Sequence, residues 1–294
     1  MKTPIFTGSA VALVTPFTES GVDYPKLEEI LEFHVKNHTD AIVVCGTTGE
    51  PSTMPDEEHK AVIRFVVEKI AKRIPVIAGT GSNDTAHAID LSTFAEEVGA
   101  DGILVVAPDY NKTTQKGLYA HIEAIAKSVT LPIILYNIPG RTGGLGFSID
   151  TLKKLAQIPN VNAIKEATGD LAFAAQVAAE TDLVIYAGND DIIVPMMSLG
   201  GKGVISVVAN ILPQETHDIC ADFAAGNIEK SRESFLSVLD LIHALFIEVN
   251  PIPVKTAMNL MGFGMGKFRM PLCEMEDNNL AKLKATLQKH GLLN

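Results

Sequence analysis

Lys165 and Glu166 end a short apolar run in the segment VNAIKEATGD, residues 161–170. A lysine at the end of a buried strand either reaches water or points into a pocket. Burial disfavours the charged form of an amine, and a neutral amine is the nucleophile that forms a Schiff base with a carbonyl. Lys165 is therefore either a solvated residue or a covalent catalyst, and the surrounding elements must decide which.

Other polar residues could act with such an amine. Tyr136 ends the run PIILYN and Tyr110 lies in APDYNK, and a phenol beside a reacting amine can relay a proton. Thr47 and Thr48 in CGTTGE offer hydroxyl and backbone N–H groups that could hold a carboxylate. Arg141, on a loop fixed by Gly and Pro, suits bidentate carboxylate recognition. Singly, each also has an ordinary interpretation as a wall, capping or solvated residue.

The elements that must position these residues alternate along the chain. Nearly continuous apolar, β-branched runs are typical of parallel strands covered on both faces, and amphipathic stretches between them predict helices. The pattern predicts an α/β fold, a (β/α)8 TIM barrel. A doubly wound open sheet is the alternative, but it usually has fewer strands and a glycine fingerprint. The predicted strands are residues 9–16, 40–46, 75–81, 101–108, 132–137, 162–167, 183–188 and 203–210.

The rest of the chain shows no strand pattern. We predict a barrel over residues 1–225 and a C-terminal helical region, residues 226–294, that packs on it because no Ser-, Pro- or Gly-rich linker separates the two. One helix would close the barrel and the others would form the extension. The predicted helices are residues 217–227, 229–249, 254–263 and 278–291.

Composition excludes several classes of protein. The 294 residues carry 24 basic and 35 acidic side chains, a net charge of −11, which disfavours nucleic acid and anionic membranes as partners. The 3 cysteines are far apart without a CxxC pair, so neither a disulfide framework nor a zinc site is predicted. His34 and His38 lack an HExxH context. We expect neither a metal nor a cofactor.

No targeting or membrane segment is evident. The N-terminal stretch is a poor signal peptide, and no run of about 18 apolar residues occurs. We therefore expect a cytoplasmic enzyme.

Barrel geometry changes the interpretation of Lys165. Polar residues at the carboxyl ends of barrel strands face the active-site mouth. Lys165 would lie there near Tyr136 and Tyr110, with Gly188 ending the seventh strand. This setting favours the covalent catalyst over the solvated lysine.

Several motifs together resemble the pyruvate-dependent class I aldolases, the family of the N-acetylneuraminate lyases, and within it the dihydrodipicolinate synthase branch. They are GTTGE, the tyrosine of DYNK, YNIPGRTG and IKEATGD, with GNDD, GVISV and NPIPVKTAMNLMG in register. The resemblance runs from residue 5 nearly to the C-terminus. Each motif is weak alone, but the set is highly specific. The family fold is a (β/α)8 barrel with a helical C-terminal region.

The resemblance implies a mechanism. Lys165 would condense with pyruvate to give an imine and then an enamine, which would attack the aldehyde of aspartate 4-semialdehyde. Tyr136 would shuttle protons, linked through Thr48 to Tyr110, which would reach across a tight dimer interface into the neighbouring site. Thr47 and Thr48 would hold the pyruvate carboxylate. This reaction belongs to diaminopimelate and lysine biosynthesis.

The resemblance also assigns the remaining binding residues. Arg141 would hold the carboxylate of the semialdehyde, and the backbone around Gly188 and Ile205 would line the pyruvate pocket. Related aldolases of keto-deoxy sugar acids generally lack an arginine in this loop, so Arg141 favours the synthase. A sugar-acid aldolase is the alternative, and a non-enzymatic ligand-binding barrel is a third hypothesis. A homotetramer, a dimer of tight dimers, is expected.

Some members of the family are inhibited by lysine at a dimer-interface site. Asp56, His87 and Asp109 stand where the sensitive members carry His, Glu and Tyr, although His59 and Asn83 match. We therefore predict weak or absent lysine inhibition, and half-maximal inhibition by sub-millimolar lysine would contradict this.

Overall fold

Eight parallel strands close into a barrel in the computed structural model, which describes residues 2–293. The first barrel strand pairs with both the second and the last barrel strand, so the sheet has no free edge. The TIM barrel prediction is confirmed. The strands are β1 Gly8–Ala12, β2 Phe17–Thr18, β3 Gly21–Val22, β4 Ala41–Val44, β5 Val76–Gly79, β6 Gly102–Val106, β7 Ile133–Asn137, β8 Val161–Glu166, β9 Val184–Ala187 and β10 Gly203–Ser206.

Several helices begin at a residue whose side chain caps the first turn. Asp23, Asp84 and Asp170 each accept a backbone N–H from the first turn of the helix that follows, which satisfies donors that otherwise lack partners. The helices are α1 Tyr24–Lys36, α2 Asp56–Ile70, α3 Thr85–Glu97, α4 Gln115–Ser128, α5 Ile149–Ala156, α6 Leu171–Glu180, α7 Ile193–Ser198, α8 Pro213–Ala224, α9 Ile228–Ser237, α10 Leu239–Ala244, α11 Ile252–Leu260 and α12 Asp277–Lys289.

One predicted helix was wrong in detail, and one short hairpin was not predicted. The predicted helix 229–249 is two helices, because Val238 (φ −105°, ψ 3°) leaves helical geometry, and α10 ends at Ala244. The short β2–β3 hairpin was missed, since two-residue strands carry no periodic pattern. The eight barrel strands fall where they were predicted; seven are shorter than predicted, and the remaining one, Val161–Glu166, is shifted by one residue.

The barrel interior is filled from its amino-terminal end. Phe6 precedes β1 and stacks on Tyr186 with ring centroids 4.2 Å apart. The Tyr186 hydroxyl donates to the Phe6 carbonyl at 2.8 Å. Small and branched side chains such as Ala10, Ala163 and Ile205 complete this inner layer. The interior therefore leaves room at the carboxyl ends of the strands.

The C-terminal helices pack on the barrel through polar as well as apolar contacts. On α11, the Lys255 ammonium pairs with Glu50 Oε1 at 2.8 Å, with both side chains almost fully buried. The division at residues 225 and 226 stays a prediction, and its outer limits, Met1 and Asn294, lie outside the described residues. Within residues 2–293, no helix combines the length and apolarity needed to cross a membrane.

Candidate active site

The central pair of the site comes from neighbouring strands. Tyr136 of β7 and Lys165 of β8 are register partners, and both are buried, with 6% and 5% exposure. The Lys165 ammonium lies 4.3 Å from the centroid of the Tyr136 ring, within the range of a cation–π contact. The lysine is therefore kept away from bulk water and beside the phenol, as the sequence predicted.

Strand alternation explains why Lys165 points inward. Side chains at i and i+2 share a face of a strand, and Ala163 belongs to the barrel interior. Lys165 therefore shares that face, and Ala163 is small. Among residues 2–293, no side chain or carbonyl forms a hydrogen bond or ion pair with the Lys165 Nζ atom. The amine borders a cavity at the barrel mouth instead.

The mouth cavity has a volume of about 540 Å³. It brings together Lys165, Tyr136, Thr48, Arg141 and Gly188, all predicted from the sequence. The remaining described residues that line it are Ile138, Pro139, Gly140, Ala167, Thr168, Asn189, Val207, Phe246, Glu248, Val249 and Asn250. The segment 246–250 was not predicted to contribute.

Asn250 connects two of the predicted binding residues. Its Nδ2 atom donates to Thr48 Oγ1 at 3.0 Å, and its carbonyl accepts from Arg141 Nη2 at 2.8 Å. Because Thr48 Oγ1 accepts this bond, its own proton is left to donate elsewhere. Asn250 follows no strand, so barrel geometry gave no reason to choose it. Its place in the motif NPIPVK was the only sequence signal that pointed to Asn250.

Other predicted site residues lie away from the cavity. Thr47 is half-buried in the short 3₁₀ turn Thr47–Gly49 and does not line it. Ile205 is fully buried in the inner layer of the barrel. Tyr110 is 92% exposed with φ of 46°. Within this chain, Tyr110 is therefore not part of the cavity that holds Lys165.

Gly188 permits a close approach of two strands. Its N–H donates to the Glu166 carbonyl at 2.7 Å. A Cβ at this position would lie 2.5 Å from the Ala167 Cβ, closer than side-chain atoms can pack. Only glycine fits there without moving the wall of the cavity.

Two buried carboxylates form hydrogen bonds with residues in and next to the cavity walls. Glu166 accepts from Asn137 Nδ2 and from the Thr168 N–H, both at 2.7 Å. Burial raises its pKa, although these hydrogen bonds act in the opposite direction. Asp190 accepts from the N–H groups of Val207 and Val208, both at 2.9 Å. Burial also raises the pKa of Asp190. Neither carboxylate lines the cavity, and sequence reasoning gave Asp190 no role.

The residues that bear on lysine inhibition make local contacts. Asp56 Oδ1 lies 3.0 Å from His87 Nε2, and His59 Nε2 lies 3.0 Å from the Gly79 carbonyl. The weak inhibition by lysine stays a prediction. His34 is buried beside Thr39, and across residues 2–293 no cluster of three or more His, Cys, Asp or Glu side chains could hold a metal ion.

A closed parallel barrel with a buried amine and a phenol beside a cavity at its mouth is the arrangement that an enzyme of the class I aldolase type requires. The model of the Dihydrodipicolinate synthetase family matches residues 5–290, and the chain belongs to that family. A 4-hydroxy-tetrahydrodipicolinate synthase from Acetivibrio thermocellus is 58% identical over 293 residues, covering 100% of both chains.

Solved structures of dihydrodipicolinate synthases have the same fold as this chain. A dihydrodipicolinate synthase from Aquifex aeolicus superposes with a TM-score of 0.96 at 48% identity, covering 98% of this chain and 99% of that one. A monomeric dihydrodipicolinate synthase variant gives a TM-score of 0.95 at 39% identity, covering 98% of each chain. The shared name of these proteins supports the predicted synthase over the sugar-acid aldolase.

Proposed function

We propose that this chain condenses pyruvate with L-aspartate 4-semialdehyde to give 4-hydroxy-tetrahydrodipicolinate, a lyase reaction of diaminopimelate and lysine biosynthesis. The observation that carries the proposal is the buried Lys165 amine over the Tyr136 ring, facing a cavity. The names of the full-length relatives supply the substrates. Arg141 in the same cavity favours a carboxylate-bearing aldehyde over a sugar.

The first half of the reaction joins pyruvate to the enzyme. Lys165, once it has lost its proton, attacks the keto carbon through its side-chain nitrogen, and loss of water gives an imine. Loss of a methyl proton then gives an enamine, in which the former methyl carbon is nucleophilic. Tyr136, the register partner of Lys165, is placed to carry the protons that these steps release and consume.

The second half forms the ring. The enamine carbon bonds to the aldehyde carbon of the semialdehyde, and the aldehyde oxygen takes a proton to become the hydroxyl. The amino group of the semialdehyde then attacks the imine carbon and displaces Lys165, which leaves as the free amine. No metal or cofactor takes part in this scheme.

The hydroxyl of Thr48 is a proposed ligand of the pyruvate carboxylate. Asn250 occupies its oxygen as an acceptor, so the Thr48 proton can be donated to a carboxylate or to Tyr136. Thr47 would also hold the pyruvate carboxylate, and the backbone around Gly188 and Ile205 would line the pyruvate pocket. Arg141, held by the Asn250 carbonyl, would receive the carboxylate of the semialdehyde.

Tyr110 enters the proposal only through assembly. Its ring is 92% exposed, which suits a residue that completes the site of a neighbouring subunit in a tight dimer. The homotetramer remains a proposal, and the monomeric variant among the structural relatives shows that the fold also occurs without it. The cytoplasmic location likewise stays a prediction.

Borohydride reduction with pyruvate tests the proposal directly. We expect irreversible labelling on the peptide that contains Lys165, because borohydride reduces an imine to a stable amine. Absence of labelling would contradict the imine and favour a ligand-binding barrel. Comparing turnover of aspartate semialdehyde with that of keto-deoxy sugar acids then separates the two aldolase activities.

A further inference from the structure

The charges around the mouth cavity are few and unevenly distributed. Of its described lining residues, Arg141 and Lys165 are basic and Glu248 is the sole carboxylate. In the proposed function, Lys165 forms the imine with pyruvate, and Arg141 binds the carboxylate of the semialdehyde. The role of Glu248 is open.

One oxygen of Glu248 is fixed in place. Glu248 lies between α10 and α11, and its Oε1 atom accepts from the Glu276 N–H at 3.0 Å and from Asn279 Nδ2 at 2.9 Å. Within residues 2–293, its Oε2 atom forms no hydrogen bond, and no Lys, Arg or His pairs with the carboxylate. The side chain is thus oriented by one oxygen while the other is left for a ligand.

Glu248 and Arg141 belong to the same part of the cavity. Arg141 donates to the carbonyl of Asn250, only two residues after Glu248 in the segment that lines the wall. The two opposite charges do not pair with each other, since no ion pair joins them within 4.0 Å. A cation and an anion that face one cavity without neutralising each other are complementary to a zwitterion.

We propose that Glu248 receives the ammonium group of the aldehyde substrate while Arg141 receives its carboxylate. This rests on the proposed function, in which the aldehyde is an amino acid that carries both groups on one carbon. The pair would discriminate the amino aldehyde from the same aldehyde without an amino group. It would also orient the nitrogen, which closes the ring after it has lost a proton.

The test compares two aldehydes on Glu248→Gln, which keeps an oxygen acceptor for Glu276 and Asn279 but removes the charge. The KM for aspartate semialdehyde should rise about tenfold or more, since a charge-assisted hydrogen bond is lost. Succinate semialdehyde has the same chain without the amino group, and its inhibition constant should change less than about twofold. Borohydride labelling with pyruvate should be unchanged.

Two further variants separate recognition from structure. Asn279→Ala removes a tether of Glu248 but keeps its charge, and it should not reproduce the discrimination between the aldehydes. Glu274→Gln, an exposed carboxylate of the same region that does not line the cavity, should leave both constants unchanged.

The outcomes are distinct. Equal weakening of both aldehydes by Glu248→Gln, or no weakening of either, would overturn the role of Glu248 and leave the proposed function intact. If the wild-type protein neither traps pyruvate nor consumes aspartate semialdehyde, the proposed function itself fails and the role of Glu248 fails with it.

Discussion

Two lysines are buried among residues 2–293, and the partners of their side-chain nitrogen atoms differ. Lys165 is 5% exposed and Lys255 is 0% exposed, and each ammonium lies over an aromatic ring. The distances to the ring centroids are 4.3 Å to Tyr136 and 4.4 Å to Phe17. Burial and an aromatic neighbour are therefore common to both and cannot by themselves identify a catalyst.

The difference lies in what else the ammonium touches. Lys255 donates to Glu50 Oε1 at 2.8 Å and to the Lys267 carbonyl at 3.0 Å. Burial lowers the pKa of Lys255, and the Glu50 carboxylate opposes that effect. Lys165 has no such partner among residues 2–293 and borders a cavity. The comparison supports Lys165, the buried amine without such a partner, as the proposed catalyst, whereas the paired Lys255 links α11 to the GTTGE turn.

Removing the amine of Lys165 should have the largest effect. We expect Lys165→Ala to lower kcat by about 10⁴-fold or more, because a covalent catalyst has no substitute in the cavity, and to abolish borohydride labelling. The thermal midpoint should change little, since no ion pair or hydrogen bond is lost. Initial rates and a thermal scan measure both.

Lys116→Ala is the matched control. It removes the side chain of an exposed lysine, and the variant should retain full activity. Labelling that survives in Lys165→Ala would place the imine on another residue.

Removing the amine of Lys255 should affect stability instead. Lys255→Met leaves the Glu50 carboxylate buried and unpaired, and we expect the free energy of unfolding to fall by about 3–5 kcal/mol. Urea denaturation measures this loss. The remaining folded protein should still label with pyruvate at Lys165.

The double variant Lys255→Met with Glu50→Gln should recover most of that loss, because no unpaired charge remains. A single variant as stable as the wild type would show that the pair does not hold the GTTGE turn to α11.

The position of Lys165 in the site was predicted from the sequence, whereas the burial and pairing of Lys255 were not, and the reason is physical. Lys165 lies on a strand whose continuous apolar run and alternation fix its direction before any packing is known. Lys255 lies on a helix, and its partner Glu50 is 205 residues away in sequence. Pairing across such a distance depends on how the C-terminal helices pack, which no local pattern specifies.

The same limit applies to the cavity. Thr48, Tyr136 and Gly188 were predicted because strand ends meet at the barrel mouth. Asn250 and Glu248 come from the connection between α10 and α11, whose position depends on tertiary packing. Strand-end geometry also placed Tyr110 at the mouth, and the family resemblance gave it a role in a neighbouring site, but within this chain the residue is 92% exposed and does not line the cavity.

The aromatic neighbours offer a finer comparison. Phe17 over Lys255 has no hydroxyl, so Tyr136→Phe makes the ring beside Lys165 chemically equivalent to it. We expect kcat to fall about 10²-fold through loss of proton transfer, with the barrel wall intact because the ring is kept. Single-turnover labelling and steady-state rates should both slow.

As a matched control, Tyr119→Phe removes a hydroxyl that contacts Glu123 on α4 and should leave kcat unchanged. Equal rates for Tyr136→Phe and the wild type would show that the phenol serves only as packing, like Phe17.

The smallest effect concerns the ion pair beside Lys255. Arg269 lies over the same Phe17 ring, 4.0 Å from its centroid, and donates to Glu58 Oε1 at 2.7 Å. Hydrogen bonding from Arg269 lowers the pKa of Glu58 below its ordinary value of 4.5, although burial opposes this. A carboxyl with a lowered folded-state pKa adds stability above its unfolded pKa, and that stability is lost as the pH falls through the folded value.

Stability should therefore fall below about pH 4.5 in the wild type, and Glu58→Gln should lack that component. The contribution should be no more than about 1 kcal/mol, because the pair is only partly buried. Urea midpoints at neutral and acidic pH for the wild type, Glu58→Gln and the exposed control Glu97→Gln measure it.

Activity at neutral pH should not change, because the Arg269–Glu58 pair lies beside Lys255 and does not line the mouth cavity. A parallel loss of stability with pH in the wild type and Glu58→Gln would show that other carboxylates cause the acid sensitivity, and a loss of activity would show that the two buried lysines are coupled.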